Sequence, residues 1–294
     1  MTRSVKNLQN YHLSRRAFSA GILTFLAAHT RGYADTFKIA ALDWAWAETL
    51  LALDVSPFAA TETALYRERV ITPELPSGVI DLGSRSWPHM ELLRSLRPDL
   101  IITQIGYGVQ AASLEKVAPT LALPLFTSER RPLYFAEAGM RAIAKKLARD
   151  ARAEEYCAAF DRKLSEIRES LRSYDGKPLL IVKFADDRIL DVYGPGSLFH
   201  DVTGKLGLSN AWSETGNSWG FSAAGLDAIA RTPEARLVII EPGPPATLLT
   251  SELWKAIPAV KADHVVSIPP TWVFGGLPSA LRFAMVLEKA LKPV

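Results

Sequence analysis

The side chains able to do metal or nucleophilic chemistry are few, and their spacing does not suit it. After residue 34 the histidines are His89, His200 and His264, and the one cysteine is Cys157. A protein metal centre needs several His, Cys or carboxylate ligands converging on a point, and no such spacing occurs. There is no Gly-x-Ser-x-Gly elbow, no phosphate-cradling glycine-rich motif and no Cys/His pairing. Cys157 lies in a helical neighbourhood with Glu154, Tyr156 and Phe160, which suits a packed thiol, and it has no partner for an internal disulfide. Asp186-Asp187 reads as a turn between strands. No catalytic residue and no metal ligand is assigned. Arg85 and Tyr107 each lie just after a predicted strand, where open α/β sheets bind ligands. Arginine offers a planar fork of donors for partly anionic oxygens. Tyrosine adds a donor on a rigid aromatic body. On residue type alone, Arg85 serves equally as a surface charge and Tyr107 as a loop filler. Trp44 and Trp46 follow the first strand, within reach of a cleft or of the core.

The elements that position these residues follow one grammar twice. Phe37–Leu42 reads as a strand, Glu48–Leu53 as a helix, Gly78–Leu82 as a strand, Met90–Leu96 as a helix and Leu100–Gln104 as a buried strand. In the second half Leu179–Phe184 and Ile189–Tyr193 are strands, Leu198–Leu206 and Leu226–Ala230 helices, and Leu237–Glu241 a buried strand. Such alternation predicts two Rossmann-like α/β lobes with mainly parallel central sheets. Between them, Phe135–Arg172 carries Met140, Ile143, Leu147, Phe160, Leu164, Ile167 and Leu171 at spacings of mostly three or four. One long α-helix is expected there, with the polar Arg149–Glu155 stretch as a place to break it. The expected division is an export signal at 1–34, an N-terminal lobe at 35–134, a linking helix at 135–172 and a C-terminal lobe at 173–294. A single helical crossover predicts modest closure between lobes.

Residues 1–34 have the order of an export signal. A basic stretch ends in Ser14-Arg15-Arg16-Ala17-Phe18, an apolar run follows over Ala20–Ala28, and small residues allow cleavage after Ala34. The paired arginines match a twin-arginine signal, the alternative being an ordinary secretory signal. Five of the 34 basic side chains and none of the 31 acidic ones fall in this segment. The remainder is therefore weakly acidic, which argues against a nucleic-acid or anionic-membrane partner. No apolar run reaches the ~18–20 residues of a membrane span.

Several segments, in order, carry a family resemblance. They are Glu48-Thr49-Leu50-Leu51-Ala52-Leu53, Val79-Ile80-Asp81-Leu82-Gly83-Ser84-Arg85, Gly106-Tyr107-Gly108, the block Tyr193–Trp212, Asn217-Ser218-Trp219-Gly220, Leu253–Pro258 and Thr271-Trp272-Val273-Phe274-Gly275. Together they resemble the periplasmic solute-binding proteins of iron–siderophore and cobalamin ABC importers, and among these the iron(III)-hydroxamate binders. The resemblance implies a periplasmic, monomeric binding protein and no enzyme. It implies no resident cofactor, since the iron arrives already held by the siderophore. Arg85 and Tyr107 would hydrogen-bond the iron-bearing hydroxamate oxygens, with Trp219 and Trp272 as pocket walls. Phe274 stands where a tyrosine is usual, Phe221 where a small hydroxyl residue is expected, and Arg69 where a tryptophan is expected. Trp44 is a further candidate wall; Trp212 and Trp254 read as core. An inner-membrane permease with its ATPase is the implied partner, with Glu48, Glu115 and Asp201 as candidate docking carboxylates. The same fold with another cargo, a catecholate or carboxylate siderophore, haem or cobalamin, is the alternative.

Overall fold

The computed structural model describes residues 37–292; the expected export signal lies outside them. Short runs form the strands of the first lobe, fully buried in β1 (Ile39–Ala41), β2 (Ala59–Ala60) and β4 (Leu100–Gln104) and partly exposed in the edge strands β3 (Ile80–Asp81) and β5 (Thr120–Leu123). They pair in the order β3-β2-β1-β4-β5, all parallel. Helices α1 (Trp44–Ala52), α2 (Thr63–Arg69), α3 (Met90–Leu96) and α4 (Ala111–Leu114) make the crossovers. Helix α1 starts four residues before the expected Glu48. Asp43 caps it, its Oδ1 accepting the Ala45 N–H at 2.9 Å, as a short polar N-cap does. Trp44 and Trp46 therefore sit in the first turn of a helix and not in a loop.

The crossover between lobes is helical, as expected, but it is a pair of helices. Helix α5 (Pro132–Leu147) starts with proline in its first turn, where the missing N–H costs nothing. It stops at Ala148, which turns left-handed (φ 54°). Helix α6 (Asp150–Ser170) then folds back along it. Met140 Sδ and Cys157 Sγ lie 3.9 Å apart, and Arg141 bridges Glu137 on its own helix to Glu154 on the next. The break falls at the edge of the polar Arg149–Glu155 stretch.

The second lobe has strands β6 (Leu179–Phe184), β7 (Leu190–Tyr193), β8 (Phe221–Ala224), β9 (Arg236–Ile240) and β10 (Val265–Ile268), in the order β10-β9-β6-β7-β8. The β10-β9-β6 half is parallel; β7 and β8 are added antiparallel. For β7 the tight turn at Asp186 decides this: its Oδ1 accepts the N–H groups of Arg188 and Ile189, both at 2.8 Å, closing a hairpin with β6 that no crossover helix could span. Helices α7 (Leu198–Lys205), α8 (Asp227–Ala230), α9 (Ala246–Leu249), α10 (Glu252–Ala256) and α11 (Pro258–Lys261) flank the sheet. Helix α12 (Leu277–Leu291) runs back toward the first lobe and packs on α1, α5, α6 and α7.

That return joins the lobes. One cluster of buried side chains runs from Leu50 and Tyr66 through Met140 and Ile167 to Phe199 and Phe283. Phe199 and Phe283 stack at 4.0 Å. Gly139 lets α5 close on Trp46, whose ring would meet a Cβ there at 2.4 Å. Swinging the lobes apart would open this apolar seam to water, which opposes a wide swing. Among the described residues no helix is long and apolar enough to cross a membrane. Cys157 lies inside the seam, and burial pushes its thiol up to about 11. It is expected to resist an aromatic disulfide reagent at pH 8 and to react only when the chain unfolds. Rapid stoichiometric labelling of the native protein would contradict this burial.

Candidate ligand-binding site

The carboxyl ends of β1, β3, β4 and β5 bring four side chains to one edge of the first lobe: Trp44, Arg85, Tyr107 and Phe126. Loop geometry holds them. Asp81 Oδ1 accepts the Gly83 N–H at 2.7 Å, and Gly83 turns left-handed (φ 75°) to start the Arg85 loop. The Tyr107 loop comes so close that a Cβ on Gly108 (φ 68°) would lie 2.8 Å from the Arg85 carbonyl oxygen. Ser86 Oγ and Tyr107 Oη share a hydrogen bond of 3.0 Å.

Arg85 is the only charge laid across this aromatic floor among the described residues. Its guanidinium carbon is 3.8 Å from the Trp44 ring centroid, 4.7 Å from Trp272 and 5.9 Å from Tyr107. Each close cation–π contact contributes about 0.5–2 kcal/mol, more as water is excluded. Nε donates to Glu62 Oε2 at 2.7 Å. Trp44 is fully buried and its Nε1 donates to the Thr61 carbonyl at 2.8 Å. It is the plate beneath Arg85, not a wall facing a ligand.

The second lobe answers with rings. Trp219 meets Tyr107 edge-on at 5.5 Å, Phe126 at 5.4 Å and Phe274 at 5.5 Å. Phe274 also touches Phe126 at 5.6 Å, Trp272 at 5.3 Å and Phe221 at 6.1 Å. Trp272 closes the circuit on Trp44 at 4.6 Å. These separations are those of favourable offset and edge-to-face pairs. The Trp219 loop is built on Asn217, whose Oδ1 accepts the Trp219 N–H at 2.9 Å. Gly220 (φ 81°) presses on the Gly194-Pro195-Gly196 turn, where a Cβ would lie 2.3 Å from Ser197 N. Arg130, entering from the first lobe, donates to the carbonyls of Gly216 and Asn217, both at 3.1 Å.

Trp272 and Phe274 hang between β10 and α12, and a buried carboxylate fixes that hinge. Glu48 of α1 accepts the Gly276 N–H and, at 2.6 Å, the Ser279 hydroxyl. Its burial pushes the carboxyl up to about 8, against the lowering effect of those bonds. A Cβ on Gly275 would reach the Glu48 carboxylate at 2.7 Å. Glu48 is thus completely buried and is withdrawn as a docking carboxylate. A surface role fails because both oxygens face inward to a helix start. Asp201 is half-buried and accepts the Leu133 N–H at the start of α5; Glu115, after α4, is exposed.

All seven sequence candidates (Arg85, Tyr107, Trp219, Trp272, Phe274, Phe221 and Trp44) fall in one connected group. Trp46 does not join it, being held under α5. Arg69 is exposed at the end of α2 and does not touch the ring group; its charge, second to burial, lowers Lys183 of β6. Trp212 and Trp254 are core, Trp254 packing on Phe184. Sequence reasoning missed Phe126, Glu62 and Arg130. Phe126 had a signal, the apolar Leu-Ala-Leu-Pro-Leu-Phe run ending at a strand edge. Among the described residues no three His, Cys, Asp or Glu side chains come together to hold a metal ion.

Two lobes sharing a helical seam, with donors and rings meeting at their junction, form a receptor for a solute larger than an ion. Residues 39–271 match the sequence profile of the family described as periplasmic binding protein, and the chain belongs to that family. It is similar to the iron(3+)-hydroxamate-binding protein FhuD of Escherichia coli strain K12, being 31% identical over 260 residues that span 87% of this chain and 88% of that one. Its fold superposes on the Fe3+–Desferal-bound siderophore-binding protein FhuD of Vibrio cholerae with a TM-score of 0.81 and 28% identity, over 87% of this chain and 97% of that one. The same two-lobe fold extends to the petrobactin-binding protein YclQ of Bacillus subtilis, at a TM-score of 0.71, 19% identity, and 87% and 92% coverage.

Proposed function

We propose that this protein captures a ferric hydroxamate siderophore in the cleft between its lobes and delivers it to an inner-membrane ABC permease driven by an ATPase. The observation that carries the reading is the meeting of Arg85 and Tyr107 with Trp219, Trp272 and Phe274 at one junction. The iron is cargo, already coordinated by siderophore oxygens, so the protein supplies no ligand to it. Arg85 Nη groups and the Tyr107 hydroxyl serve as donors to the partly anionic hydroxamate oxygens at the edge of the complex. The rings take the apolar body of the siderophore. Trp272 Nε1, buried and without a hydrogen-bond partner among the described residues, is a further donor whose desolvation a ligand oxygen would offset. The likeness to a hydroxamate binder over most of the chain supports the cargo class. Export through a twin-arginine signal, with cleavage near Ala34, and action as a monomer belong to the same reading.

Three of the rings sit beside the donors, so tryptophan fluorescence reports binding. Titration with ferrichrome-type and ferrioxamine-type complexes is expected to quench it with micromolar or tighter affinity. Quenching by a ferric catecholate, haem or cobalamin alone would replace the hydroxamate cargo with that ligand.

A further inference from the structure

Glu62 occupies a place that its residue type does not suit. It turns left-handed (φ 47°, ψ 50°) just before α2, where glycine or asparagine is the easier choice. It stands at the N-cap position of that helix, yet its side chain makes no capping bond. Its backbone N–H is spent on the Gly83 carbonyl, at the start of the Arg85 loop. The carboxylate instead reaches into the cleft floor, where Oε2 takes Arg85 Nε. Both side chains keep some contact with solvent, 15% for Arg85 and 23% for Glu62. Among the described residues, Glu62 Oε1 and the two Arg85 Nη groups make no hydrogen bond. Donor and acceptor therefore stand side by side at the place assigned to the ligand.

The charge balance points the same way. Asp43, the almost fully buried cap of α1, is a second carboxyl whose titration feels the Arg85 charge. The other arginine at the junction, Arg130, has its fork committed to two carbonyls. The floor thus carries one guanidinium against two carboxyl groups. A polyanionic ferric complex would meet these carboxyls at short range in a partly dry site, which is unfavourable. A neutral complex would not, and a pendant ammonium or amide N–H would find Oε1.

We infer that Glu62 is a specificity-determining residue, one that restricts the cargo to ferric complexes of zero or positive charge and offers an acceptor to their N–H groups. The inference rests on the siderophore reading above and deepens it. Glu62→Gln keeps the size and removes the charge. Dissociation constants for wild type and variant would be measured by fluorescence for three probes: an uncharged ferric trihydroxamate, ferrioxamine B with its pendant ammonium, and a trianionic ferric tris-catecholate. In the variant the preference for the ammonium-bearing over the uncharged hydroxamate is expected to fall about tenfold, a difference of 1.4 kcal/mol. The tris-catecholate is expected to gain by a similar factor, and Glu62→Asp is expected to keep the wild-type order. Should Glu62→Gln melt early, Glu62→Asn, which tolerates the left-handed backbone, gives the same readout. Unchanged ratios among the three probes overturn the inference while leaving hydroxamate binding intact. Wild type that binds none of the hydroxamates overturns the function itself, and the two failures are distinct.

Discussion

Replacing Arg85 by alanine is expected to weaken binding of the ferric hydroxamate by about 1.5–3 kcal/mol, the range for hydrogen bonds to charged groups. That is roughly a ten- to hundredfold rise in Kd. Two losses combine. The donors to the siderophore oxygens disappear, and so does the guanidinium that packs on both the Trp44 and Trp272 rings. Arg85→Lys keeps the charge but loses the fork and the flat stacking surface, so it is expected to recover only part of the affinity. Titration of each variant, with its melting temperature measured alongside, separates the two contributions. An Arg85→Ala protein that melts normally and binds with wild-type Kd would remove Arg85 from the site.

The second large effect is on stability. Glu48→Ala deprives the Gly276 N–H and the Ser279 hydroxyl of their acceptor in a dry interior. Buried unsatisfied donors cost about 1–3 kcal/mol each, and removing the carboxyl relieves part of its own burial cost, so a loss of about 2–4 kcal/mol is expected. For a domain of this size that lowers Tm by roughly 5–15 °C. Thermal unfolding followed by circular dichroism checks it. Glu48 also sets a pH dependence. Burial raises its carboxyl from 4.5 in the unfolded chain to about 8, and the nearby Asp43 charge adds to the shift. The folded state then holds a proton that the unfolded state has already released. Stability from this group is complete below pH 4.5 and is lost as pH rises through 8. Asp43, raised by burial to about 6 despite Arg85, contributes the same sign over a lower window. Tyr66 and Tyr156, both raised by burial and then by Glu48, stay neutral throughout. Glu48→Gln is expected to flatten the fall in Tm between about pH 5 and 8. A slope unchanged in that variant would show that Glu48 does not titrate there.

Much of this architecture is legible in the residues because it is written in local pattern. The repeat of helix, proline turn and β-branched strand appears at Met90–Ile102 and again at Leu226–Ile240. The helix that starts at Leu198 falls where expected. Other parts depend on contacts that no window of sequence contains. Strand β2 is two alanines and becomes a strand only because β1 and β3 flank it. The antiparallel β7 depends on the closed turn at Asp186, and β8 pairs with it only after a long connection through α7. The α5–α6 break needs a left-handed alanine, which propensity does not anticipate. Within the site, Arg85 and the rings were readable from strand ends and motif order. Glu48 was misplaced on the surface because a lone carboxylate on a helix is normally solvated. The contrary signal was present: Trp44–Ala52 is apolar on every face but for Glu48 and Thr49, and a helix of that kind is buried all round. A carboxylate there must find donors indoors.

The shared seam between the lobes bears on how cargo occupancy can be communicated. A receptor that clamps by a wide swing broadcasts its loaded state through its silhouette, and a docking partner can sense the outline from afar. Here Glu48 of α1 holds the start of α12 and one buried apolar cluster runs through both lobes, which opposes a wide swing. On the proposed function, the news of cargo would be concentrated at the junction, where the Arg130-tethered loop carries Trp219, and a docking partner would read it there by touch.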